Sequence, residues 1–179
     1  TFNTKEVSIS ASVLVHKPDF SNLPEIQVPV MNPDIVRWML LMGQMDKPTT
    51  DDEEIIYNLY YKFFSAAMPK AKLLIPLNAT SGFPDKSQGV NSFVLKEDAK
   101  FSIPVREGKD GRNSVPVFTD WKRLRMVFDE KWNGMIEEAG GMIEGFDYAI
   151  NPTEFYEAGA YVSITTFKEM QKLSEELEG

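Results

Sequence analysis

The chain contains no cysteine, a single histidine, and no apolar run of membrane-spanning length among its 179 residues. Each shortage removes a class of chemistry. Without cysteine there are no disulfides, thiolate metal sites or cysteine nucleophiles. Any Ser-His-Asp arrangement would have to use His16, which stands beside an expected strand end, just before Lys17-Pro18, and reads as a surface residue. One histidine and no thiol leave only carboxylates for a metal, so neither a metal site nor a cofactor is expected. A membrane span needs about 20 consecutive apolar residues, and none is expected here. A cysteine-free chain suits a reducing compartment, which points to the cytoplasm. The chain opens at Thr1 without methionine, so removal of an upstream leader, and with it export, stays open.

What is present is acidic. The formal net charge is -8, and a surface of that sign repels phosphate backbones, so nucleic acid is not an expected partner. The densest basic cluster, Lys122, Arg123 and Arg125, reads as the solvated face of a helix. With 42% hydrophobic and 26% charged residues, the composition is that of a globular domain with its own core. The carboxylates Asp51, Asp52, Glu53 and Glu54 lie at a helix start, where the dipole favours negative charge. Glu137, Glu138 and Glu144 read as solvated. Asp110-Gly111 lacks the alternating ligands of a calcium loop, and Gly140-Gly141 lacks the spacing and lysine of a phosphate loop.

The order of elements is mixed. Val7 to Val15 alternates apolar and small polar residues and predicts a strand, followed by a proline-rich connector to Val30. Residues 1–30 therefore read as an N-terminal arm, and 31–179 as one α/β domain. Asn32-Pro33-Asp34 predicts a capped first helix. Thr50-Asp51-Asp52-Glu53 fits a capping box opening a helix from Asp51 to Met68. That helix is apolar over roughly 240° of its circumference. It is expected to pack between sheet and helix, or else to offer its tyrosine side, Tyr57, Tyr61 and Phe64, to a partner.

Lys72 to Leu77 reads as a strand with Pro76 expected at an edge, end or bulge, and Ser92 to Leu95, Lys100 to Glu107 and Val115 to Phe118 read as three short strands of an antiparallel meander. Thr119 is expected to cap a helix carrying Trp121, Leu124, Phe128 and Trp132. A helical turn is expected around Met135 to Ala139. Phe146 to Ile150 and Tyr161 to Ile164 read as strands. Asn151-Pro152 is expected to start a helix, and Thr166 to Glu169 to cap the last one, reaching Glu178. This succession predicts an α+β, or mixed α/β, fold: a largely antiparallel or mixed central sheet flanked by helices.

The ordered set Phe101-Ser-Ile-Pro-Val105, Val115-Pro-Val-Phe-Thr-Asp120, a tryptophan-containing helix and Asp147-Tyr-Ala-Ile-Asn-Pro152 resembles the SseB N-terminal domain family. The upstream helix and Leu73-Leu-Ile-Pro76 fit the same arrangement, so the resemblance runs from about Asn32 to Leu177. It implies a fold rather than an activity. Its motif positions Phe118, Thr119, Asp120, Asn151 and Pro152 sit where strands give way to helices, and read as capping residues.

No catalytic constellation emerges. The expectation is a non-catalytic module that binds another protein or itself, including by exchange of the arm between subunits. The alternative is a small-molecule or anion-binding protein, or an unrecognised enzyme, using helix N-termini near Thr119 and Asn151.

Overall fold

The computed structural model describes residues 4–10, 30–45, 47–79, 100–107, 111–129, 131–141, 145–152 and 159–177. Four α-helices and seven strands are described: β1 (Thr4–Ser10), α1 (Pro33–Gln44), α2 (Asp51–Ala67), β2 (Lys72–Ala79), β3 (Lys100–Glu107), β4 (Asn113–Val117), α3 (Trp121–Val127), β5 (Asn133–Glu138), β6 (Asp147–Ile150), β7 (Ala160–Val162) and α4 (Ile164–Glu176). The fold is α+β.

The strands form one mixed sheet in the order β5-β2-β3-β4-β6-β7, with β1 added along β3. All ladders are antiparallel except β4–β6, which is parallel. The strand of the arm thus joins the main sheet, Thr4 facing Arg106 and Ser10 facing Lys100. β3 pairs at its start with the end of β2, through Asn78↔Ser102, and at its finish with the start of β4, through Arg106↔Ser114. It bridges two strands whose main chains, among the described residues, are joined directly by the isolated bridge Leu74↔Phe118, just past β4.

Helices cover both faces of this sheet, which explains why Leu73-Leu-Ile-Pro-Leu77 is apolar at every position. Leu73, Ile75 and Leu77 enter the larger core with Phe64, Met68 and Phe167 from the helical layer of α1, α2 and α4. Leu74 points the other way, into a smaller core with Phe118, Leu124 and Phe128 under α3. Complete burial of each such side chain contributes about 1.5–3 kcal/mol.

Several expectations change. Pro76 lies in an interior strand, opposite Gly134 of β5, and the reason is the local end of the ladder beside β4. The segment around Met135 is strand, not helix, because it pairs with β2 from Lys72↔Glu138 to Leu77↔Asn133. Glu137 is buried rather than solvated. The last helix starts three residues early: Ser163, not Thr166, is its cap and accepts from the Thr166 amide. The capping box at Thr50 is present as read, with Glu53 and Thr50 satisfying each other's amides. His16, the strand at Ser92 to Leu95, Glu144 and the helix after Pro152 lie outside the described residues.

Candidate functional site

Two regions gather the residues singled out by sequence. The first is the junction at the end of β4. Thr119, completely buried, donates its backbone N–H to Asn151 Oδ1 at 3.0 Å, and Asn151 Nδ2 donates to Thr119 Oγ1 at 3.0 Å. The Asn151 N–H donates to Val117 O at 2.8 Å. Asn151 therefore extends the parallel β4–β6 ladder with its main chain first and its side chain next. It does so at φ 49°, a left-handed conformation that asparagine tolerates better than most residues.

The other face of the junction is held by Asn32, whose Nδ2 donates to Thr119 O at 2.9 Å and to Lys72 O at 2.6 Å. Its Oδ1 accepts from the Lys72 N–H at 3.2 Å. Both main-chain groups of Lys72 are thus paired by one side-chain amide, as they would be by a neighbouring strand.

The capping roles shift accordingly. Asn32 makes no side-chain cap to α1. Asp120, not Thr119, caps α3: its Oδ1 accepts from the Arg123 N–H at 3.0 Å, and its other oxygen is paired with the Arg123 guanidinium. Phe118 is fully buried in the smaller core, and Pro152 follows Asn151 half-buried. The first turn of α3 is therefore filled by the chain's own carboxylate, and the Thr119 amide is already engaged.

The basic cluster is partly consumed in the same way. Arg123 lies half-buried against Asp120, and Arg125 Nη1 donates to the carbonyls of Asp129 and Trp132. Among the described residues no three acidic or histidine side chains converge to hold a metal ion. No helix is long and apolar enough to cross a membrane among those residues.

The second region is α2. Its inner side carries Phe64, 2% exposed, into the core, with Met68 buried just past its end, so Phe64 is a core residue and not a surface one. Tyr57 is half-buried, and only Tyr61 of the three named positions is exposed. The helix is not wrapped on most sides. Ile55 is 66% exposed, Leu59 47%, Phe63 45% and Ile56 41%. At 100° per residue these four fall within an arc of roughly 100°. They form one apolar stripe on the side away from Phe64, separate from Tyr57 and Tyr61.

The stripe rests on a firm base. Trp38 of α1 stacks on Phe63 at 4.9 Å and on Tyr60 at 5.8 Å between ring centroids. Ser174 of α4 donates to Ala66 O at 3.2 Å. At the other end Glu53 Oε2 accepts from the Thr49 N–H and hydroxyl, both at 2.8 Å. Those bonds, the Thr49 main-chain one foremost, lower the Glu53 pKa.

These features define an α+β domain with one mixed sheet between helices, its strand-to-helix junctions tied by asparagine side chains. The family model for the SseB protein N-terminal domain matches residues 60–139, so across that stretch the chain is SseB-like, as its motifs imply. Phe101 to Val105 and Val115 to Asp120 lie inside the matched residues, and Asp147 to Pro152 lies beyond them. No curated protein and no solved structure matched the chain.

Proposed function

We propose that this chain is a non-catalytic protein-interaction module, acting in the cytoplasm, whose docking surface is the outer stripe of α2. The observation that carries the reading is the exposure of Ile55, Ile56, Leu59 and Phe63 on one side of a helix whose other side is anchored in the core. A contiguous apolar patch on an otherwise acidic surface marks an interaction site, and large apolar and aromatic anchors on a rigid support suit one. The Thr119–Asn151 junction supports this reading indirectly, because its polar groups are spent on one another and on Asn32.

The test is site-specific photo-crosslinking in cells, with a benzophenone amino acid at position 59 and, as control, at exposed Lys168 on α4. The reading expects a discrete adduct at 59 that is absent at 168 and lost when Ile55→Glu is added. Adducts identical at both positions would overturn it.

A further inference from the structure

The outer stripe of α2 has a symmetry of its own. Ile55 and Phe63 each stand four residues from Leu59, so all three lie one turn apart on the same side of the helix. Turned end for end about Leu59, the row superposes on itself: Leu59 meets Leu59, and Ile55 meets Phe63. A surface that is its own complement under a two-fold rotation is what an isologous interface requires.

The charges along α2 obey the same operation. Asp51, Asp52, Glu53 and Glu54 crowd its first turn, whereas Lys62 lies in its second half and Lys70 in the one-turn 3₁₀ helix Met68–Lys70 that follows. The rotation that exchanges Ile55 with Phe63 places Asp52 opposite Ala66 of the second copy, and Lys62 and Lys70 stand four residues to either side of Ala66. Antiparallel pairing therefore sets the acidic first turn of each helix beside the half of the other that carries Lys62, with Lys70 just past it. Parallel pairing would stack acid on acid at one end. The arrangement also overcomes, locally, the repulsion expected between two chains of net charge -8.

From these two observations we infer that α2 pairs antiparallel with α2 of a second copy of this chain, about a two-fold axis at Leu59. The inference rests on the interaction-module reading and names its partner. A single helix pair with four apolar anchors on each side falls at the small end of interface sizes, so the association is weak and reversible.

Analytical ultracentrifugation of the purified chain over roughly 5 to 500 µM, the span appropriate to a small interface, tests it. A monomer–dimer equilibrium is expected within that range. Leu59→Glu should abolish it while leaving the circular dichroism spectrum and melting temperature unchanged, since the side chain is half exposed. Asp52→Lys should weaken the dimer at least tenfold, and adding Lys62→Asp should restore most of that loss. A monomer throughout the range overturns the inference, as does a Leu59→Glu variant that dimerises like the parent, or an Asp52→Lys defect that Lys62→Asp does not relieve. A monomer that still gives the position-59 adduct with a different protein sinks this pairing alone. Absence of any position-59 adduct in the otherwise unsubstituted chain sinks the broader reading.

Discussion

Leu74 of β2 and Phe118, just past β4, form an isolated antiparallel bridge, and continuing its register two residues along each chain sets Pro76 against Pro116. Leu74 and Phe118 exchange both main-chain hydrogen bonds at 2.9 Å. In an antiparallel ladder the next pair to do so lies two residues along on each strand, and those residues are Pro76 and Pro116. Neither has an N–H to give. The ladder stops there, and β3 enters beyond it to pair with both strands. On the other side of Leu74–Phe118 the groups of Lys72 are taken by the Asn32 amide. One hydrogen-bonded pair is left between two strands that would otherwise run side by side.

Restoring both amides tests whether the prolines cause the parting. In a Pro76→Val/Pro116→Val variant, hydrogen exchange should show the two new amides protected to a degree comparable with Leu74. Freely exchanging amides would mean that β3, not proline, keeps the strands apart.

Asn151 combines a conformational and a bonding role, and two substitutions separate them. Asn151→Ala leaves the buried Thr119 N–H unpaired and puts alanine at a left-handed φ, for a loss of about 2–4 kcal/mol in urea unfolding. Asn151→Gly relieves the backbone cost but not the lost bond, so it should recover about 1–2 kcal/mol of that. Equal losses for the two would show that the backbone conformation contributes little.

Tyr148, buried in β6, has its phenol pKa raised, chiefly by burial and then by the neighbouring Asp147 carboxylate. An acid group whose pKa is higher folded than unfolded contributes stability below its unfolded value, about 10 for tyrosine, and that contribution is lost as the pH rises above it. The parent should therefore lose stability between about pH 10 and 12 more steeply than Tyr148→Phe. Parallel pH profiles in chemical denaturation would contradict the assignment.

Gly134 of β5 faces the ring of Trp121: a Cβ there would come within 2.7 Å of two ring atoms. Gly134→Ala must displace the indole from the smaller core, at a cost of about 1–3 kcal/mol, with a shift in tryptophan emission. Unchanged emission and stability would show that the ring has room to move.

The features legible in the sequence are those decided within a few residues. The capping box at Thr50 depends on Glu53 three positions away, and the apolar runs at Leu73–Leu77 and Val115–Phe118 announce strands. The SseB-like motif order was likewise visible. The absence of cysteine and the single histidine narrowed the available chemistry before any geometry was known.

Asn32 and Thr119 show where such reading ends. Each occupies a position at which a local cap is the natural expectation, and each is claimed instead by a partner far along the chain, Thr119 pairing 32 residues away with Asn151 and 87 away with Asn32. A side-chain amide satisfies a distant strand as well as a nearby helix end, and only the assembled sheet determines which is closer. The same holds for α2. Its sequence specifies an unusually apolar helix, but burial of Phe64 and exposure of Leu59 follow from which side α1, α4 and the sheet leave uncovered. Local composition determined that the helix has more apolar surface than one contact can hide; tertiary packing decided which part remained outside.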